Sequence, residues 1–345
     1  YSGIYAAKVT GNGETLHWKM IGNLPEPAAY GGVVATGDSL VIIFVVFSIC
    51  SSKFLKVDNI MNIFKQTSIN GFISLGMLIV LITAGIDLSV GANCAFSACV
   101  MGLLFKSGCT NPVILIVVCI GTATGIGLIN GLLLTKLHLP HPFISTLGMC
   151  NIVRGFALFL TNAATINNFP KGVTFIGSAT IGGFPLSFFL LIVFCVIFHF
   201  MLTQTGFGRQ IYCVGGNFEA AKLSGIKSDR VLTLCYTICG VVVGIAAVIM
   251  VGRVGTAYPL AGDAYDTDAI ASCIIGGASF MGGKGTVVGT LIGALFIAIL
   301  RNGLSILGAS SYIQQIVLGF VIIGAVFFDV MRGMAEAKAR RLAAE

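Results

Sequence analysis

GRQIYCVGGNFEAAKLSGIKSDR, residues 208–230, is a polar, charged loop set between two apolar runs, 185–203 and 231–251. Each flanking run has the ~17–25 residues that an α-helix needs to cross the hydrocarbon core of a bilayer. The pair reads as two crossings, with the loop on one face of the membrane between them. Within the loop, Glu219-Ala220-Ala221 is followed by Gly225. A membrane protein that keeps one ordered, charged loop on a single face presents it to something soluble. The two alanines and Gly225 would let a short amphipathic helix sit in a partner's groove, with Glu219 and Arg209 as charges at the rim. The plainer alternative is a solvated linker.

Composition agrees with a membrane location. Of 345 residues, 56% are hydrophobic and only 10% are charged, and the mean hydropathy is +0.98. A soluble domain carries roughly 25% charged residues. Between Asp58 and Glu219 the only acid is Asp87. Lipid requires backbone polar groups to be satisfied within each spanning segment. The expected fold is therefore an all-α polytopic membrane protein with about ten transmembrane helices. The apolar runs are continuous rather than alternating, which argues against a β-barrel. The 45 glycines suit close helix packing.

The net charge of +7 resides in loops and near the C-terminus. No basic stripe is interleaved with aromatics, so no nucleic-acid partner is expected. The 11 cysteines are scattered singly through apolar runs, apart from the i,i+4 pair Cys235 and Cys239. They read as small packing residues. His138 and His141 flank Leu139-Pro140 in a turn, and no further ligands complete a metal site. No Ser/His/Asp or Cys/His set emerges, so no catalytic residue is expected.

Apolar runs fall near 31–50, 66–85, 89–106, 112–135, 143–161, 185–203, 231–251, 264–281, 286–307 and 312–331. Asp38 interrupts the first, and 264–281 opens on Asp266 and Asp268 and is rich in glycine. Ten crossings put both termini on one side of the membrane, and that count places the 203–230 loop on the same side. Twelve lysines and arginines then lie on that side: Lys8, Lys19, Lys136, Arg209, Lys222, Lys227, Arg230, Lys284, Arg332, Lys338, Arg340 and Arg341. Seven lie on the other, and Arg154 is within a helix. The positive-inside bias makes the loop and both termini cytoplasmic.

Two connections resemble each other. Residues 86–91, Ile-Asp-Leu-Ser-Val-Gly, lead into a helix with Ala92, Ala95, Ser97 and Ala98. Residues 283–289, Gly-Lys-Gly-Thr-Val-Val-Gly, lead into another with Gly293 and Ala294. Interrupted helices at matching positions of two related halves mark substrate paths in transporters. The segment 276–286 tempts comparison with a phosphate-binding loop, but Lys284 is followed by Gly285 rather than Ser or Thr, and no strand precedes it. Gly285/Gly289/Gly293, Gly127/Gly131 and Gly240/Gly244 are four-residue ladders that suit helix contacts.

Asp87 is the sharpest single residue. An ionisable group at membrane depth costs several kcal/mol unless it meets a cavity or a partner. Gly85 and Gly91 would allow the backbone to break here, and Ser89 could cap the following helix. Two readings stand side by side: Asp87 lies on a substrate path or gate, with Thr83 and Ser89, or it only caps a helix. Gln66, Thr67, Ser68 and Asn70 open the preceding helix. Neutral polar groups suit a polyol or sugar, and they also join transmembrane helices to one another.

Three long motifs carry a resemblance. They are residues 85–91 (GIDLSVG), the loop from Gly208 to Ile226, and residues 276–294, whose pattern is GG-x-S-x-x-GGKG-x-x-x-GT-x-IGA. Together they resemble the permease subunits of ribose-type ATP-driven importers, a family that carries ribose, xylose, galactose, autoinducer-2 and related monosaccharides. The resemblance runs from about residue 41 to 331. It implies a bacterial inner-membrane permease that pairs with a second permease copy or homologue in the lipid bilayer. Two cytoplasmic ATPase subunits would hold the ATP and Mg, with no cofactor in this chain, and a periplasmic sugar-binding protein would deliver substrate. Glu219, Ala220, Ala221 and Gly225 match the loop that couples such a permease to its ATPase, with Arg209, Gly215, Gly216 and Asn217 as its lead-in. Asp87 and Ser89 match the GIDLSVG signature, and with Asn70 and Thr83 they are the expected path or gate.

Residues 1–38 depart from that pattern. Gly11-Asn12-Gly13 is an expected hairpin turn between short β-like runs. Trp18, residues 24–32 and the following Val33 to Ile42 resemble one blade fragment of a kelch propeller of the sort found in sugar mutarotases. One blade cannot bury its own face, so a polar extension without its own core, or a fused segment, is expected. No basic segment of signal-peptide type opens the sequence. The expected division is 1–38 extension, 39–331 transmembrane permease and 332–345 basic cytoplasmic tail. The competing reading is an ion-coupled secondary sugar carrier that uses Asp87. It accounts for Asp87 but not for the 208–230 loop.

Overall fold

The computed structural model describes residues 3–7, 18–23 and 40–342, other than 138 and 140. The expected turn at 11–13, His138 and most of the first apolar run before residue 40 lie outside the described residues. Strands β1 (Gly3–Ala7) and β2 (Trp18–Asn23) pair antiparallel, with Gly3 opposite Asn23 and Ala7 opposite Trp18.

The remainder is helical. In chain order the helices are α1 (Leu40–Cys50), α2 (Val57–Ile82), α3 (Val90–Lys106), α4 (Pro112–Lys136) and α5 (Pro142–Thr161). Then come α6 (Lys171–Ser178), α7 (Leu186–Gln204), α8 (Gly206–Gly216), α9 (Phe218–Leu223) and α10 (Ser228–Val254). The last are α11 (Tyr265–Ile275), α12 (Val287–Ile306) and α13 (Ser311–Leu342). Short two-residue strands join the loops far from α8: β3 (Ile166–Asn167) with β6 (Thr256–Ala257), and β4 (Thr180–Ile181) with β5 (Phe184–Pro185).

Local sequence explains the boundaries. Asn111 and His141 each accept a hydrogen bond from the backbone N–H two residues on, with Pro112 and Pro142 opening the helix. Proline has no N–H to lose at that position. Among the described residues, six helices are long and apolar enough to cross a membrane: α2, α4, α5, α7, α10 and α12. Leu40–Cys50, Val90–Lys106 and Ser311–Phe327 are shorter apolar helices. With the 11-residue α11 they account for the apolar runs of the sequence. The protein is thus an all-α polytopic membrane protein. The run 264–281 is helical only as far as Ile275, because Gly277, at φ +88°, turns the chain. Residues 332–342, the start of the basic tail, continue α13.

Helices α2 and α10 form the buried centre, and the glycine ladders explain how α4 reaches them. A methyl on Gly127 would stand 2.4 Å from the Tyr236 carbonyl oxygen, and one on Gly240 would stand 2.5 Å from that of Ala123. Gly293 likewise faces the Ser272 carbonyl of α11 at 2.0 Å from where a Cβ would lie. With lipid outside, contact this close replaces the hydrophobic drive that holds helices together in water. By contrast α4, α5 and α7 leave broad apolar faces uncovered, including Val117, Phe156 and Val196.

Two breaks organise the centre. Residues 83–89 separate α2 from α3, and 276–286 separate α11 from α12. They touch: the Gly283 N–H donates to the Ile82 carbonyl at 2.8 Å, and a Cβ on Gly282 would lie 2.8 Å from the Ala84 nitrogen. Where α3 begins, Gly91 and Gly262 are in backbone contact, so the N-terminal ends of α3 and α11 meet inside the bundle.

Candidate functional site

The 205–227 segment folds as two short helices. The Thr205 hydroxyl accepts from the Gly208 N–H at 3.1 Å and opens α8. Asn217, with φ −162°, ends α8 and caps α9, its Oδ1 accepting from the Ala220 N–H at 2.9 Å. Gly225 adopts φ +85°, and the Ile226 N–H returns to the Ala221 carbonyl at 3.1 Å. That closure needs a residue free to be left-handed, which glycine is.

The two faces of α9 differ. Ala221 is buried, and half-buried Phe218 and Ile226 pack beside it on the main core. Glu219, Ala220, Lys222 and Leu223 face outward, with Leu223 88% exposed. Arg209 and Gly216 are exposed as well. Leu223 was not singled out from sequence, although the signal was there. Residues two apart on a helix point to different faces, so burying Ala221 puts Leu223 outside.

The inner side of α8 meets both breaks. A methyl on Gly215 would sit 1.6 Å from the Ile82 carbonyl oxygen and 2.8 Å from the Gly283 nitrogen. The Tyr212 hydroxyl donates to the Gly285 carbonyl at 2.7 Å. Burial pushes the Tyr212 phenol up to about 12, so it stays a donor at neutral pH. Removing this hydroxyl in Tyr212→Phe should cost about 1 kcal/mol, read as a lower unfolding temperature of the purified protein. Unchanged unfolding would mean that the bond does not hold α8 in place.

Asp87 is only 2% exposed. Its Oδ1 accepts from the Ser89 N–H at 2.9 Å and the Ser89 hydroxyl at 2.6 Å. The Asn130 amide on α4 donates to Ser89 Oγ at 2.8 Å and lies 3.3 Å from Asp87 Oδ1. Neighbouring Ile86 offers its carbonyl to Thr146 of α5 and Tyr236 of α10, each at 3.2 Å. The Ser89 side chain makes no cap of its own, and Asp87 caps the Ser89 N–H instead. The 83–89 break is thereby tied to α4, α5 and α10.

Two cavities flank this centre. One, of about 390 Å³, lies beneath α9 and is lined by Thr83, Gly85, Thr135, Phe218 and Asp229, among others. The second, of about 170 Å³, lies between α2, α10, α11 and α12, and Asn70 lines it. Asp87 and Ser89 line neither cavity. The helix begins at Val57, so Gln66, Thr67, Ser68 and Asn70 lie within α2 rather than opening it as the sequence suggested, and the Thr67 and Ser68 hydroxyls turn back to carbonyls one helical turn earlier. Among the described residues no His/Cys/Asp/Glu group could hold a metal ion.

Comparison with known proteins shows the family. The family described as "Branched-chain amino acid transport system / permease component" matches residues 59–326. The ribose import permease RbsC of Bacillus subtilis (strain 168) is 41% identical over 292 residues, 84% of this chain and 90% of that protein. The D-allose transport system permease AlsC of Escherichia coli (strain K12) is 38% identical over 84% of this chain and 89% of its own length. The galactose/methyl galactoside import permease MglC of the same strain is 36% identical, over 85% and 92%. No solved structure matches. With a family match over most of its length and relatives 36–41% identical over most of both chains, this chain belongs to the transport-system permease components.

Proposed function

We propose that this chain is the membrane permease of an ATP-driven monosaccharide importer, with ribose as the first candidate sugar. The observation that carries this is the α8–α9 unit. One side presents Glu219, Ala220 and Leu223 outward, and the other is hydrogen-bonded to the 276–286 break and packed against the end of α2 at Ile82. The relatives named for ribose, allose and galactose import support the substrate class. The chain itself supplies a path and a lever. ATP and Mg would be held by a cytoplasmic ATPase partner, on which α9 docks.

In this reading Arg209, Asn217, Glu219, Ala220 and Gly225 shape the docking side, Gly215 and Ala221 fix it to the bundle, and Gly216 is the exposed link between α8 and α9, where a methyl has room. The permease sits in the bacterial inner membrane with α8, α9 and both termini on the cytoplasmic side. A second permease copy or homologue pairs with it, two ATPase subunits bind below, and a periplasmic sugar-binding protein delivers substrate above. Asn70 and Thr83 belong to the path, because each lines a cavity. Asp87 and Ser89 hold the turn between α2 and α3.

Glu219→Ala tests the docking assignment. Loss of a charged contact at a docking surface, worth ~1.4 kcal/mol, weakens ATPase binding about tenfold. Uptake of labelled ribose should fall by that order while the variant remains folded and in the membrane. Uptake at the wild-type rate would sink the assignment.

A further inference from the structure

We infer that the cavity between α2, α10, α11 and α12 is a hydroxyl-binding site for one monosaccharide inside a single permease chain, an inference that rests on the importer reading above. Six polar residues from four helices line it: Gln66, Asn70, Arg253, Tyr265, Asp268 and Arg301. Polar groups at membrane depth are retained where they meet a partner or a water-filled path. Two pairs are already fixed. The Asn70 amide donates to Ser272 Oγ at 3.0 Å, and Arg301 Nη2 donates to Asp268 Oδ1 at 2.6 Å. The rest of the lining is unspent. The side chains of Gln66, Arg253 and Tyr265 have no hydrogen bond or ion pair among the described residues, and the buried Arg301 Nε has no partner.

The chemistry fits a neutral polyol. Arg301 offsets the charge of Asp268, and Arg253 sits in the last turn of α10, where the helix end favours a cation. What remains is a mixture of donors and acceptors on short arcs, which suits ring hydroxyls that both donate and accept. A volume of about 170 Å³ holds roughly half a dozen waters, the scale of one sugar ring.

The cavity is also mechanically placed. Asp268 and Ser272 lie on α11, and α11 runs from this cavity to the 276–286 loop that meets Gly215 and Tyr212. The same short helix thus links the cavity to the lever.

The test uses the whole transporter, with its ATPase and binding-protein partners, reconstituted in liposomes. ATP-driven uptake of ribose, allose and galactose is measured for wild type, Ala298→Trp, Gln66→Leu and Arg253→Gln. Ala298 lines the cavity and is 5% exposed, so tryptophan fills the space. We expect Ala298→Trp to lower uptake at least tenfold while the ATPase still co-purifies. Gln66→Leu and Arg253→Gln should change the ratio of rates among the three sugars, which a merely structural defect would not do. Should Ala298→Trp fail to assemble, those two variants decide. Unchanged ratios in both, with sugar uptake by the wild type intact, would overturn the cavity site and leave the importer reading standing. Absence of uptake of any sugar by the wild type would instead overturn the importer reading.

Discussion

Gly215→Ala is expected to abolish ATP-driven uptake, whereas Gly216→Ala, one residue along, should leave it near the wild-type rate. At position 215 the added methyl would lie 1.6 Å from the Ile82 carbonyl oxygen and 2.8 Å from the Gly283 nitrogen. Both obstacles are backbone, so no side chain can swing aside. Ile82 O is also the acceptor of the Gly283 N–H. Relieving the clash means lifting α8 away from the place where the two breaks meet. Overpacking of this kind costs ~1–3 kcal/mol or more, and here the cost falls on the contact that links α9 to α11. At position 216 nothing lies within 4 Å of the added methyl, and the residue is exposed. Measuring uptake together with co-purification of the ATPase distinguishes a lost lever from a lost fold. Uptake by Gly215→Ala at the rate of Gly216→Ala would show that α8 need not touch the breaks.

Much of this arrangement was legible in the sequence, and the reasons are local. The Gly127/Gly131 and Gly240/Gly244 ladders announced a close contact because only glycine permits backbone at that distance, and α4 and α10 meet on those residues. The caps at Thr205 and Asn217 and the closing Gly225 follow from side-chain and backbone rules that act within a few residues. What could not be read were contacts between distant segments. Nothing near Asn70 says that Ser272 will face it, 202 positions away. Arg253 and Tyr265 belong to no sequence motif, and they meet only because α10, α11 and α2 close around one cavity. The extent of α11 was also hidden, because an apolar run with glycines does not say where glycine will break the helix. For Asp87 the sequence offered path or cap with equal force. Its partner Asn130 lies 43 positions away, and periodicity does not reveal it.

Asp87 therefore supports the most discriminating experiment, because its two simplest replacements should behave differently. Asp87→Ala leaves the Ser89 N–H and the Ser89 hydroxyl without their acceptor in a buried site, while the Asn130 amide keeps only Ser89 Oγ. Each orphaned donor costs ~1–3 kcal/mol, so the variant should unfold several degrees earlier or fail to accumulate in the membrane. Asp87→Asn keeps an oxygen where Ser89 needs it. Its new amide faces Asn130, whose Oδ1 is buried without a partner and can accept once that side chain turns over. The asparagine variant should fold and retain ATP-driven uptake within a few-fold of wild type. An ion-coupled carrier makes the opposite demand, since a carboxylate that binds a proton or sodium at each turnover cannot be replaced by an amide. Uptake into vesicles is then measured with ATP alone and with an ion gradient alone. ATP-driven uptake that survives Asp87→Asn fits an anchor in the α2–α3 turn. Gradient-driven uptake by the wild type, lost in a well-folded Asp87→Asn, would transfer the chain to the secondary carriers.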